Sequence, residues 1–470
     1  MRANGGRWTA SNKPGCQRCS PRPRGWPWRK TETIGENFVV TGLNRRDLLV
    51  RGGGLGLGLG IAGLPLGALQ ARAARLDLPA IRDLISGLVD SGKLPGLVAS
   101  VGIGRGAPQF VSHGTLAFDS KVPVGPDSLF RIYSMTKVIT GMAAMHLIEQ
   151  GKLRLDQPVA DILPKFAKMQ VLDSVDAPIN KVHPAKSLIT IRQLLTHTAG
   201  LGYAIVQTGP IQKAYIAAGL ASGRASRQLL PGEVRVPSAP SLAAFADRLA
   251  DLPLVYEPGT QWSYSYAQDL LGRVIEVVSG MPFERFLQQT FFGPCAMRDT
   301  AFHVPAAKAA RLTSNYGIKD GKAQLIDPGS DSIFLDPPLV PSGGGGLVST
   351  PRDYDRFMAM LVAGGLSGRL RVMAARAVAL GGSNLLPPGA ATKGTWMEGA
   401  GHGAGAQLGL GEKAGVLGWS GAAATVFRID LKRGIRIAIY SQHMPTSAYE
   451  LYDKFPKAAG SDLGAPQLAI

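Results

Sequence analysis

The chain has 470 residues, 45% of them hydrophobic, enough for a large core built of two or three lobes. Its formal charge is +18, but residues 1–73 carry twelve Lys/Arg against three Asp/Glu, a net of +9, which leaves +9 for all the rest. That remainder holds no Lys/Arg-rich block with interleaved aromatics, so the charge does not point to nucleic acid.

Residues 1–40 are rich in Arg, Pro and Trp and lack apolar periodicity, so we expect disorder there. Cys16 and Cys19 lie in this stretch with no second pair and no nearby His, and a metal site is not expected. Then comes "LNRRDLLVRGGGLGLGLGIAGLPLGALQARAA", with paired Arg45 and Arg46, a Gly/Leu-rich apolar run broken by Pro65, and Ala71-Arg72-Ala73. It resembles a twin-arginine export signal with a small-residue cleavage site. The run from Gly52 to Leu69 is short and Gly-rich for a membrane anchor. We therefore expect residues 1–73 to be a leader, the protein to be periplasmic or secreted, and no stable membrane span to remain after processing. Cys295 is then the last cysteine, and a core rather than an internal disulfide must hold the fold.

In chain order, "AIRDLISGLVDSGK" (80–93) has helical spacing, and "GLVASVGIGRGAPQFVSHG" (96–114) reads as two strands around a turn. "SMTKVITGMAAMHLIEQG" reads as a helix ending at Gly151, and "LLGRVIEVVSG" as one ending at Gly280. "TPRDYDRFMAMLVAGG" places Thr350 as N-cap, Pro351 at the first helical position and Gly364 at the end. Residues 202–240 and 381–416 are rich in Gly, Pro and Ser, and irregular segments of that length are lids or binding loops. "AATVFRIDLKRGIRIAIYSQ" reads as a hairpin turning at Lys432-Arg433-Gly434. Strands near both ends with helices between predict an α+β fold, an α/β sandwich in a domain over 74–455. An antiparallel sheet flanked by helices comes from 95–130 and 415–445, a helical lobe mainly from 131–340, and 456–470 is expected to be a loose tail.

"RIYSMTK" places Ser134 and Lys137 three residues apart, on one face if the segment is helical. A serine hydroxyl needs a neighbour to take its proton, and a lysine can serve if desolvated. Ile132, Tyr133, Val138, Ile139 and Met142 are apolar, so Lys137 would be buried, which is costly without a purpose. Alone, S-x-x-K is weak and is also what an ordinary helix start contains. "EPGTQWSYSYAQDLLGRVIEVVSG" adds Tyr264 just before a helix; a phenol near an ammonium can act as general base, or can simply be a buried aromatic with one hydrogen bond. "GVLGWSGAAATVFRIDL" adds Ser420, Gly421 and Ala422, small residues read as opening an edge strand whose N–H groups could form an oxyanion hole; a bulge would look the same.

Taken in order, these motifs resemble the serine β-lactamase and penicillin-binding superfamily, and most nearly the class C β-lactamase-like, or family VIII, carboxylesterases. "GKLRLDQPVADILPKF", "TIRQLLTHTAGLGY", "WSYSYAQDLLGRVIEVVSG", "GGGGLVSTPRDYDRF" and "GWSGAAATVFRIDL" carry the resemblance over roughly 80 to 445. It implies a β-lactamase/transpeptidase-like fold with Ser134, Lys137 and Tyr264 as catalytic residues. Ser134, Ala422, Gly421, Trp419 and Tyr133 would then surround the oxyanion and substrate. Two departures matter. Tyr266 stands where class C β-lactamases usually carry the Asn of Tyr-x-Asn, and Trp419-Ser420-Gly421 where they carry Lys-Thr-Gly. Losing that lysine removes the charge that holds a substrate carboxylate and favours neutral esters.

No G-x-S-x-G elbow is present. His197 in "LLTHTAGL" belongs to a stretch that looks structural in the superfamily, His443 is a minor candidate, and Gly343–Gly346 reads as a flexible turn near the site. The expectation is a serine hydrolase that cleaves small carboxylic esters through a Ser134 acyl-enzyme, with no cofactor. A β-lactamase or DD-peptidase acting on amides, and a non-catalytic binding protein on the same fold, are the alternatives.

Overall fold

A computed structural model of the protein describes residues 76–220, 225–227 and 238–470. The expectations for residues 1–73, Arg45, Arg46, Cys16 and Cys19 included, lie outside the described residues.

The first apolar runs form β1 (Gly96–Ile103) and β2 (Gln109–Gly114). Late in the chain come β3 (Gly401–His402), β4 (Gln407–Leu408), β5 (Val416–Ser420), β6 (Val426–Asp430) and β7 (Ile435–Tyr440). They join in one antiparallel sheet of order β3-β4-β5-β6-β7-β1-β2. The register Val98↔Tyr440 and Ala99↔Ile439 ties the early strands to the late ones.

The helices of twelve or more residues are α1 (Pro79–Asp90), α2 (Thr136–Glu149), α3 (Ala267–Ser279), α4 (Pro351–Val362) and α5 (Leu451–Leu463). Side chains alternate across a strand, so the sheet has two apolar faces. Ala99, Val416, Val426, Ile437 and Ile439 pack with Ile81 and Ile85 of α1 and Leu451 and Phe455 of α5. Val98, Leu417, Trp419, Phe427 and Tyr440 face the larger core with α2 and α4. This is the α+β sandwich the strand and helix patterns predict. No described helix is long and apolar enough to cross a membrane.

α2 lies at the centre and is buried continuously from Thr136 to Met145, as a helix apolar on all sides must be. The lobe beside it contains α3 and the helices Ile191–Leu195, Gly209–Ala217 and Leu242–Ala250. A two-stranded ladder over 170–172 with 182–184 joins them, as does a three-stranded sheet in which 315–319 lies between 322–327 and 443–444. The expected caps hold: the Thr350 side chain accepts from the Asp353 N–H, and Gly280 takes the left-handed conformation.

Four expectations need correction. Residues 456–470 are not a loose tail. α5 runs into them, and Phe455, Ala459, Ala465 and Leu468 are buried against the sheet. The carboxylate of Asp462 accepts the N–H groups of Ala80 and Ile81, so it caps α1, which has no cap of its own. Within 202–240, Gly209–Ala217 is helical. The sheet begins at residue 401 in its second half, not at 415, because β3 and β4 form its edge. Ser420 ends β5 instead of opening a strand, and β5 lies inside the sheet between β4 and β6.

Phe455 is fully buried. Phe455→Ala should lower unfolding free energy by about 3–5 kcal/mol, as measured by urea denaturation; a change below about 1 kcal/mol would mean the helix is not part of the cooperative core.

Candidate active site

Ser134 sits in a 3-10 turn, Tyr133–Met135, directly before α2. Tyr133 has φ +40°, a conformation a bulky residue adopts only when its surroundings impose it. Those surroundings are visible. Arg131, fully buried, is paired with Asp327 and donates to the Thr313 carbonyl at 2.6 Å and to Ser332 Oγ at 2.9 Å. The Ile132 N–H donates to the Leu347 carbonyl, and the Tyr133 ring stands edge-on to Phe334 at 5.9 Å. The turn therefore projects Ser134 from a clamped backbone.

Lys137, the second residue of α2, is completely buried. Its ammonium donates to Ser134 Oγ at 3.2 Å and to the Gly344 carbonyl, and lies 4.5 Å from the centre of the Tyr264 ring. The Tyr264 hydroxyl is 2.6 Å from Ser134 Oγ. Three side chains separated by up to 130 residues thus meet at one oxygen. The two hydroxyls are in direct hydrogen-bond contact, which is the geometry a nucleophile–base pair requires.

Motif reading missed Asp269 on the first turn of α3. It is buried, and its Oδ1 accepts from Ser342 Oγ at 2.5 Å and from the Gly344 N–H at 3.1 Å. Burial pushes this carboxyl up, and the Lys137 charge pulls it back. The Gly344 peptide is thereby held from both ends, its N–H by Asp269 and its C=O by Lys137. The Gly343–Gly346 run is a fastened loop beside the site: the Gly343 carbonyl accepts from Thr140 Oγ1, and the Leu347 N–H donates to Thr136 Oγ1.

On the far side, the end of β5 packs directly on the nucleophile turn. A Cβ on Gly421 would stand 2.4 Å from the Ile132 carbonyl oxygen, so only glycine fits. The Gly421 N–H is used by the Thr425 carbonyl, and its carbonyl takes the Ala424 N–H. Among the described residues, no protein acceptor takes the Ala422 or Ser134 N–H, the two donors an oxyanion would use. The Trp419 ring stacks on Tyr264 at 5.9 Å, and Trp396, 67% exposed, lies 5.3 Å from the same ring. Trp396 belongs to the irregular 381–416 segment expected to serve as a lid or binding loop.

Tyr266 turns away into the lobe, among Tyr203, Tyr215 and Phe245, with its hydroxyl accepting the Ala204 N–H. His197, at φ +56°, is buried with Nδ1 on Ser265 Oγ at 3.0 Å. Burial, and then the nearby His402 and Lys137, hold it well below the ordinary histidine range. It touches the Tyr264 ring, not Ser134. His443 pairs with Ser441 Oγ at 2.7 Å and is held down to about 4 by burial; its N–H donates to the Ala423 carbonyl and so supports the turn that carries Ala422.

A family model described as Beta-lactamase matches residues 81–459. An uncharacterized protein of Mycobacterium tuberculosis is 35% identical over 291 residues, 62% of this chain and 68% of that protein. Esterase EstB of Burkholderia gladioli is 31% identical over 252 residues, 50% of this chain and 57% of the esterase. A monacolin J acid methylbutanoyltransferase of Aspergillus terreus is 28% identical over 246 residues, 51% of this chain and 54% of that enzyme. Those two alignments span little more than half of either enzyme. Among solved structures, EstCE1, a hydrolase with promiscuous acyltransferase activity, superposes with a TM-score of 0.64 at 24% identity, covering 81% of this chain and 97% of its own. The octameric penicillin-binding protein homologue from Pyrococcus abyssi gives 0.58 at 20% identity, covering 83% and 78%. The fold is therefore β-lactamase/transpeptidase-like, as the motifs implied. The family match over 81–459 and the superposed folds place this chain in the Beta-lactamase family, the serine β-lactamase and penicillin-binding superfamily that its S-x-x-K motif resembles.

Proposed function

We propose that the protein is a serine carboxylesterase that hydrolyses small neutral esters through an acyl-enzyme on Ser134. The observation that carries this reading is the single oxygen, Ser134 Oγ, flanked by the Lys137 ammonium at 3.2 Å and the Tyr264 hydroxyl at 2.6 Å. In the first step Ser134 Oγ bonds to the ester carbonyl carbon and passes its proton to Tyr264. The carbonyl oxygen takes up negative charge toward the N–H groups of Ser134 and Ala422. The C–O bond then breaks, and Tyr264 returns the proton to the departing alcohol. In the second step water attacks the acyl carbon and gives its proton to Tyr264, the acid leaves, and Ser134 regains its hydrogen. The Lys137 amine stands 3.2 Å from Ser134 Oγ and 4.5 Å from the centre of the Tyr264 ring, where it orients both groups through these steps.

The preference for neutral esters rests on what lies beside the serine. Trp419 replaces the lysine of the β-lactamase strand motif, and Tyr266 carries no polar group into the site. The cations on adjoining elements do not replace it. Arg131 is paired with Asp327, and Arg428 lies on the opposite face of the sheet against Tyr452. We also propose export by the leader that carries Arg45 and Arg46, with a periplasmic or secreted product.

Ser134→Ala should lose at least about a thousandfold in ester hydrolysis and all fluorophosphonate labelling, with melting unchanged. Tyr264→Phe should lose about a hundredfold or more; stopped-flow burst kinetics at parent rates in both steps would remove Tyr264 from the mechanism. Trp419→Lys should raise the β-lactam to ester ratio of kcat/KM by roughly tenfold to a hundredfold, the worth of one charge-assisted hydrogen bond. Cephalosporin turnover by the unaltered protein at its esterase rate would instead favour the amide-cleaving reading. Arg45→Lys with Arg46→Lys should keep the protein in the cytoplasm, as judged by cell fractionation; normal export of that variant would sink the twin-arginine reading.

A further inference from the structure

Behind Tyr264 lies a cluster of rings that the proposed chemistry does not touch. His197, Trp262 and His402 are all at least nine-tenths buried. Their ring centres form a triangle, with 5.6 Å between the two histidines and 6.1 and 6.3 Å from Trp262 to His197 and to His402. His197 Nε2, His402 Nε2 and Trp262 Nε1 are each without a hydrogen-bond partner in the protein. One orphaned buried nitrogen is an ordinary irregularity. Three in a single mutual contact are not, because each leaves about 1–3 kcal/mol of desolvation uncompensated.

The proton inventory narrows what satisfies them. His402 Nδ1 faces the Gly403 carbonyl at 2.9 Å, which accepts only, so Nδ1 carries the hydrogen and Nε2 is a bare acceptor. The Trp262 N–H can only donate. His197 Nε2 can do either, because Ser265 Oγ on its Nδ1 can donate or accept. One water meets all three demands, accepting from Trp262, donating to His402 and completing its shell with His197. Such a water makes three hydrogen bonds, the usual number for one buried in a protein. Burial holds His402 down to about 4, so its lone pair is available at neutral pH.

The triangle is joined to the reaction centre on two sides. His197 lies 5.0 Å from the Tyr264 ring, and Trp262 stacks on that ring at 6.3 Å. His402 stands 5.6 Å from Trp419, which also stacks on the Tyr264 ring. The hairpin turn after His402 is seated on α2 itself, since a Cβ on Gly405 would meet the Lys137 carbonyl oxygen at 2.4 Å. We infer that His197, Trp262 and His402 form a water-binding site that positions the Tyr264 phenol against Ser134, with His402 a positioning residue remote from the substrate. The inference rests on the reading of Ser134, Lys137 and Tyr264 as nucleophile and base.

The test joins a high-resolution crystal structure of the unaltered protein with fluorophosphonate labelling rates across pH, a readout that needs no knowledge of the substrate. We expect an ordered water within hydrogen-bond distance of the three nitrogens. His402→Phe keeps a ring but no acceptor. It should label at least tenfold more slowly, with a displaced pH midpoint. His402→Gln, whose amide oxygen approximates Nε2, should recover most of the rate. No water among the three nitrogens, parent rate and pH midpoint in His402→Phe with only a lower melting temperature, or no recovery by His402→Gln would each overturn the inference. If His402→Phe does not fold, Trp262→Phe, which deletes the donor, is judged by the same rate and midpoint. Failure of the unaltered protein to label at Ser134 would instead overturn the catalytic reading, and the crystallographic water alone would then decide the triangle.

Discussion

The buried ammonium of Lys137 is the constraint on which the rest depends. Taking such a charge out of water costs several kcal/mol unless neighbours replace its hydration. Here the replacements are the Gly344 carbonyl, Ser134 Oγ, the faces of Tyr264 and Tyr203, and the field of the Asp269 carboxyl. None of these is local in sequence except Ser134. The charge can be buried only when the 342–346 loop, the Tyr264 segment and the start of α3 have all docked on α2. Assembly of the lobe and assembly of the reaction centre are thus one event. Asp269 shows the coupling: it is remote from the ester, yet it fixes the peptide that solvates the lysine.

Part of the backbone strain lies in the same place. Of the six described non-glycine residues with positive φ, Tyr133 precedes Ser134, His197 backs Tyr264, and Ala424 closes the turn that carries Ala422, while Ala296, Asp320 and Glu450 lie elsewhere. Each conformation costs of order 1–3 kcal/mol and persists because surrounding contacts over-determine it. Around Tyr133 those contacts include the buried Arg131–Asp327 pair, which a hydrophobic replacement could match for stability but not for fixing the 130–133 backbone. Tyr133, His197 and Ala424 thus lie in three segments that surround Ser134 Oγ, where preorganisation would be of use.

Much of this was legible in the sequence, for identifiable reasons. Ser134 and Lys137 are three residues apart, and a lysine among Ile132, Val138, Ile139 and Met142 has no route to solvent. Tyr264 follows a Pro-Gly turn and leads into a helix. The apolar strand runs within 96–114 and 423–442 yield the sheet because β1, β6 and β7 bury both their faces, while β2 stands half-exposed at its edge. What escaped depends on tertiary contact. Asp269 reads as an ordinary acid in a first helical turn, and its partners Ser342 and Gly344 lie more than seventy residues on. His402, Trp262 and Trp396 sit in stretches with no period to follow. The tail was misread because Pro456 and Gly460 look like breakers. Their helix is held by Phe455, Ala459 and the Asp462 cap on α1, none of which local propensity reveals. Ser420-Gly421-Ala422 reads as a strand opening and is a strand end, because small residues are equally suited to opening a strand and to leaving one.

The relatives include both an esterase and an acyltransferase, and under the function proposed above one site serves either outcome. The acyl-enzyme is the same in both. The second nucleophile is water in one and an alcohol in the other, and each surrenders one proton to one base. Ser134, Lys137 and Tyr264 are therefore indifferent to the choice. What can discriminate is the wall that an alcohol must approach and water need not touch. In this chain that wall is aromatic: Trp396 is largely exposed beside Tyr264, and Trp419 stacks on the same ring. On the proposed function, selection between hydrolysis and transfer would reside in the 381–416 segment and the end of β5. Those parts of the chain can change without disturbing the buried lysine.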